Sequence, residues 1–244
     1  MRTGLRIDQG YRDGAAVVVP HGVLDLANYA ELRDTLVKCA IELPRGVIVD
    51  VGWLSVPTTA TLAVFSSVWI QVSDWPGVPI VLVAARELDR RRLARNSITR
   101  VMPVHASVEE ALDALGEPPP RRRTILELPD EPASVAAGRR FVEVTCIRWG
   151  CLEVLRDGVL VASELVENAV RHAHGDPRLR LELGGGLLTV AVYDDDPTPP
   201  RLINSSLTAP GHLGLVMVAK LAKSWSSAPT LSGGKVVWAV LVVP

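Results

Sequence analysis

Cysteine is scarce in this chain: Cys39, Cys146 and Cys151 are the only three among 244 residues. Three thiols cannot build a disulfide framework, and the close pair, Cys146 and Cys151, lacks the spacing and companions of a zinc site. They read as small buried hydrophobes in a reducing compartment. Long apolar runs are missing as well. No stretch approaches the roughly 18 apolar residues of a membrane span, and the opening MRTGLRIDQGYRDG has no apolar core of signal-peptide length. A cytoplasmic protein without a membrane partner is therefore expected. An excess of charge is also absent, since 26 basic and 27 acidic residues leave a formal −1. That balance gives no global attraction for nucleic acid. Arginines cluster at Arg90, Arg91, Arg92 and Arg95 and again at Arg121, Arg122 and Arg123. Acidic neighbours flank both sets and no aromatics interleave with them, so they read as a solvated face and a linker.

What is present is ordinary folded-protein composition, 48% hydrophobic and 22% charged. The length suits two domains of roughly 110–130 residues each. GEPPPRRRT (116–124) marks the division, because three consecutive prolines can neither continue a helix nor sit inside a sheet. This places an N-terminal domain at 1–116, a linker at 117–123 and a C-terminal domain at 124–244. Upstream, GAAVVVPHGVLDL, GVIVDVGWL and VPIVLVAA are β-branched strand patterns, and NYAELRDTLVKCAIEL has helical spacing. Residues 60–73 are compatible with a helix. SVEEALDAL reads as a short amphipathic helix with Ser107 as N-cap and Glu110 completing a capping box. The alternation of strands and helices predicts an α/β fold.

Downstream, RTILELP predicts a strand, EPASVAAGRRFVEVTCIRWG a helix, and LRDGVLVASELVENAVRHAH a longer helix ending near Gly175. RLRLELGGGLLTVAVYDDD predicts a hairpin turning at Gly184, Gly185 and Gly186. LGLVMVAKLAKSW reads as helix and GGKVVWAVLVV as a last strand.

Within the long helix, Glu164 and Asn168 stand one turn apart on one face, while Leu165, Val166, Ala169 and Val170 fill the core side. A carboxylate and a neutral amide oxygen together suit magnesium-nucleotide chemistry, the first as proton acceptor and the second as a ligand to a hard cation. The same spacing also fits a solvated stripe. Asp194 ends an apolar strand, where an acid can accept from an exocyclic amine such as that of adenine. GHLGL (211–215) puts glycines before a helix, where backbone N–H groups can approach phosphate.

Taken in order, ELVENAVRHA, YDDDP, GHLGL and GGKVVWAVL resemble the ATP-binding domain of the gyrase, histidine-kinase and MutL superfamily, and most closely its anti-sigma-factor serine kinase branch. The likeness runs over about residues 123–244. It implies a Bergerat-type α/β sandwich with ATP and Mg2+ as cofactors. Glu164 would be the general base, Asn168 the magnesium ligand, Asp194 the adenine-recognising acid, and Gly211, Gly214 and Leu215 part of the second glycine box. Asp195, Asp196, Pro197 and Thr198 stand where most relatives have glycines, and His212 where a kinase has another.

Residues 15–115 resemble a STAS domain, the mixed-sheet fold of anti-sigma-factor antagonists, through VVVPHGVLDLANYAELRDTL and GVIVDVGWLSVPTTATLAVF. The antagonists' Asp-Ser-Ser-Gly loop is represented here by Pro57, Thr58, Thr59 and Ala60. Thr58 keeps a hydroxyl at the phosphorylated position, although Thr58 or Thr59 also suits a simple helix cap. The two resemblances together imply a partner-switching regulator: a serine/threonine protein kinase domain fused to a degenerate STAS domain. Its partner would be a sigma factor or a STAS antagonist, and homodimerisation is left open. The alternative is a non-catalytic ATP-binding module in which nucleotide gates protein docking.

Overall fold

The computed structural model describes residues 4–95, 97–118, 120–173, 175–200 and 214–244. It divides into two compact units, Met1–Pro118 and Pro119–Pro244.

In the first unit the strands are β1 (Arg6–Arg12), β2 (Ala15–Val23), β3 (Val47–Asp50), β4 (Leu54–Ser55), β5 (Ile80–Val83) and β6 (Val104–His105). The helices are α1 (Tyr29–Ile41), α2 (Ala63–Val72), α3 (Glu87–Arg95) and α4 (Val108–Ala114). The sheet runs β1-β2-β3-β5-β6, with β4 pairing β2. β1 is antiparallel to β2, whereas β2, β3, β5 and β6 are mutually parallel. Ile48, Val81 and Val83 pack against Ala111, Leu112 and Leu115 at α4. The alternate set, Val47, Val49, Ile80 and Leu82, is equally buried. Both faces of the central strands are therefore covered, as their unbroken apolar runs require.

The stretch beginning at Arg6 is a strand, β1, joined to β2 through Asp13 and Gly14, both at positive φ. Its residues are largely exposed, so it carries no alternating apolar signature. The arginines at 90–95 lie on α3, largely exposed as expected, and two of them also bond to the backbone: Arg90 donates to the Ala84 and Ala85 carbonyls, and Arg92 to that of Val56. The capping box is present, with Ser107 accepting from the Glu110 N–H at 3.1 Å. Its reciprocal arm goes to the Ala106 N–H.

In the second unit the order is β7 (Arg122–Glu127), α5 (Ala133–Trp149), α6 (Leu155–His172), β8 (Arg178–Gly184), β9 (Leu187–Asp194), α7 (Gly214–Leu221), β10 (Ser224–Pro229) and β11 (Lys235–Val242). The sheet is antiparallel throughout, in the order β10-β11-β9-β8-β7. Leu179, Leu181, Leu188, Val190, Val192, Val237, Ala239 and Leu241 alternate along the strands and meet Val142 and Cys146 of α5, Val161, Leu165, Val166 and Ala169 of α6, and Val218 of α7. Each fully buried Val or Leu of this set contributes about 1.5–3 kcal/mol. The result is a sandwich of one sheet and one helical layer.

Gly185 and Gly186, both at positive φ, make the predicted hairpin turn. The helix expected over LGLVMVAKLAKSW ends at Leu221, and Ser224 and Trp225 open a strand that the sequence reading folded into the helix. Arg122 and Arg123, expected in the linker, are the first residues of β7. Arg123 donates to the buried Glu182, which also pairs with Arg180.

Candidate functional site

The apolar residues of α6 recur at helical spacing and are buried along one side, which fixes the rotation of the helix on the sheet. That rotation leaves Glu164 and Asn168 together on a half-buried face. The Asn168 carboxamide lies one turn from Glu164, partly exposed. The Glu164 carboxyl is held above the ordinary range, first by burial and then by the neighbouring Glu167 carboxylate. Arg139 and Arg171 act in the opposite direction. Arg139, on α5, donates from Nε to Ser163 Oγ at 2.6 Å. It thus stands beside Glu164 from a second helix, a placement sequence spacing does not reveal. Glu167, by contrast, is half exposed and pairs with Arg171 one turn on.

Gly214 opens α7 against this face. A Cβ there would collide with the Glu164 carboxylate, so the glycine is what lets the helix start approach the acid. The structure thereby brings Glu164 and Gly214 together, with Leu215 partly buried against the core. Gly211 and His212 lie outside the described residues.

Asp194 sits at the end of β9 in register with Lys235 of β11. Its Oδ1 accepts from Lys235 Nζ at 2.8 Å and from the Asp196 N–H at 3.0 Å. Burial raises the Asp194 carboxyl, and Lys235 opposes that rise. Asp196 lies lower, at about 2, chiefly through hydrogen bonds from Thr198 and with help from Lys235. Gly234 allows the close pairing: a Cβ there would strike the Asp194 carbonyl and lie 2.7 Å from Asp195 Cα. At the other end of α6, Gly175 packs on the Asp195 carboxylate. The chain leaving α6 therefore passes close to the turn that follows Asp194. Lys235 and Gly234 were missed as site residues. Their signal is a lone charge after two glycines at the head of an otherwise apolar strand.

In the first unit, Asp50 Oδ1 accepts from the Gly52 N–H at 2.9 Å. Thr58 is exposed at the start of a 3-10 turn, Thr59–Leu62, that leads into α2, and its side chain makes no capping bond. The simple cap considered for it from sequence is not the observed arrangement.

The second unit is thus an antiparallel sheet under three helices, with Glu164 and Asn168 on one helix face and a glycine-led helix packed on it. Residues 128–241 match the family described as the histidine kinase-like ATPase domain, so the C-terminal unit carries that domain, which implies a nucleotide site. No curated protein matches the chain. Among solved structures, an anti-sigma factor antagonist from Mycobacterium paratuberculosis is 15% identical, with a TM-score of 0.41, covering 47% of this chain and 97% of that one. The phosphorylated Bacillus cell fate determinant SpoIIAA is 16% identical, with a TM-score of 0.35, covering 46% and 100%. The RsbU and RsbW domains of a Mycobacterium tuberculosis protein are 18% identical, with a TM-score of 0.38, covering 77% of this chain and 47% of that one.

Proposed function

We infer that the chain is a partner-switching regulator in which the C-terminal unit is a serine/threonine protein kinase and the N-terminal unit a STAS-type partner module. The observation that carries the kinase reading is the packing of Gly214 on the Glu164 carboxylate within the segment matched to the ATPase family. It sets a raised, partly buried carboxylate beside the start of a helix, where phosphate oxygens are favourably held. An acceptor hydroxyl would give its proton to Glu164 while its oxygen bonds the γ-phosphorus. The bond from that phosphorus to the β,γ-bridging oxygen breaks, and ADP leaves. A carboxylate raised toward neutrality is the stronger base for this step.

The donor set fits Mg2+, which takes one or two protein oxygens and completes its shell with water and phosphate. Asn168 would supply the protein oxygen, and the ion would neutralise phosphate charge. Asp194 would accept from adenine. Gly211 and Leu215 would belong to the phosphate loop and its helix. Thr58, exposed and uncapped, is the acceptor position in the first unit. A phosphate there would add about −1.5 to −2 charges at a helix start, enough to switch a docking surface. Sigma factor or STAS antagonist chemistry is the corresponding partner class.

A second reading, nucleotide as a docking ligand without transfer, is favoured by the engagement of Asp194 Oδ1 with Lys235, which stiffens the turn after β9. Incubation with γ-labelled ATP and Mg2+ separates the two. Label on Thr58 or on an added STAS protein, lost in Glu164→Gln with ATP binding retained, supports the kinase. Binding that Asn168→Ala abolishes, with no transfer or hydrolysis in the unaltered protein, leaves only the second reading.

A further inference from the structure

Lys235 is a buried charge of the second unit to which the reading above gives no role. Its side chain is 9% exposed, and that of Asp194 is 3% exposed. An ammonium group has three hydrogens. Here three acceptors surround it: Asp194 Oδ1 at 2.8 Å, the Asp196 carbonyl at 2.9 Å and Asp196 Oδ2 at 3.2 Å. The group is saturated, so it has no hydrogen left for a phosphate or a base. Asp194 is arranged differently. Oδ1 takes Lys235 and the Asp196 N–H, while Oδ2 has no partner among the described residues.

We propose that Lys235 is a positioning residue for nucleobase selection: by occupying Oδ1 it holds Asp194 as an acceptor whose free Oδ2 takes a hydrogen from a 6-amino purine. The proposal rests on the nucleotide reading above and deepens it. The physical reason is the sign of the hydrogen bond. A buried carboxylate without a cation beside it tends to protonate and becomes a donor. A donor at Oδ2 would meet the 6-oxo group of a hypoxanthine or guanine base and would oppose an amino group. Among the described residues, the charged groups acting on Asp194 are Lys235 from β11 and Asp196 from the turn. Removing Lys235 thus leaves burial and a like charge, both of which favour the neutral acid, against the single hydrogen bond from the Asp196 N–H. The lysine decides which purine edge the pocket accepts without touching the base.

The test compares ATP with ITP, whose bases differ at this position in carrying an amino or an oxo group, by titration calorimetry on the full chain. The unaltered protein should prefer ATP by at least about tenfold. Lys235→Met should abolish most of that preference near neutral pH and regain it as pH rises and Asp194 ionises. Lys235→Arg, which keeps the charge, should retain it. An unchanged ATP preference in Lys235→Met alongside a lowered melting temperature would show that Lys235 merely fastens β11 to β9, and the proposal would fall. Should Lys235→Met not fold, the unaltered protein decides. An ATP preference that stays level between about pH 6 and 8 supports the proposal, and one that collapses on acidification within that window overturns it. If the unaltered protein binds neither nucleotide, the nucleotide reading itself is wrong and the proposal goes with it, a result distinct from binding without discrimination.

Discussion

Glu164 shows how a candidate base is maintained at a cost to stability. Its carboxyl titrates above the ordinary range in the fold because burial disfavours the charge. The folded state therefore holds a proton that the unfolded chain releases at lower pH. By linkage, stability falls as pH rises from the unfolded pKa through the higher folded one. Above that window the ionised side chain is a net burden. Glu164→Gln should accordingly raise the melting temperature at neutral pH, and the gain should shrink toward zero as pH is lowered below the ordinary carboxylate range. A melting series across pH reads this directly, and a gain that persists unchanged in acid would contradict it. The residue and its partner Asn168 were legible in the sequence because helical spacing and the order of later motifs pointed to them. Arg139 and Lys235 were not, since each reaches the site through tertiary packing from a different element.

At the scale of elements, legibility followed the strength of the apolar pattern. α6, β9 and β11 have unbroken or strictly spaced apolar sets, and each lies where the sequence puts it. β1 and β10 escaped because RIDQGYR and SWSSAP offer only scattered apolar residues, being edge strands placed chiefly by backbone pairing. The Asp13-Gly14 pair was the available signal for the first of them. For the β9–β11 pairing, Gly234 is the tightest point, because backbone rather than side chain stands where its Cβ would be. Gly234→Ala should destabilise the unit by about 2–4 kcal/mol, read as a lowered denaturant midpoint with little change in slope. A neutral result would mean that the Asp194–Asp195 backbone yields more readily than its packing indicates.

For the molecule as a whole, each unit has a hydrophobic core of its own and reports on itself through its thiols. Cys39 lies in the first unit, Cys146 and Cys151 in the second, and all three are buried. Burial pushes the Cys39 thiol up to about 11 and that of Cys146 to about 12, far from the thiolate form that reacts. Ellman's reagent should therefore leave the folded protein nearly unmodified and titrate three thiols in denaturant. At intermediate denaturant, peptide mapping should separate Cys39 labelling from labelling of the other two, giving the opening of each unit in one experiment. Rapid modification of any of the three in native buffer would contradict the buried placement. No helix among the described residues is long and apolar enough to cross a membrane.

The strand order of the second unit has a bearing on how the protein is made. β11 follows every other strand of its sheet in the chain, yet it lies between β10 and β9. Among the described residues β10 pairs with β11 alone, so it has no strand to pair with until residues 235–242 emerge from the ribosome. That strand also brings Lys235 to Asp194, so this buried ion pair forms only after β9 and β10 have been made. A nascent chain stalled before that point would have helices and part of a sheet but would lack the Lys235–Asp194 pair.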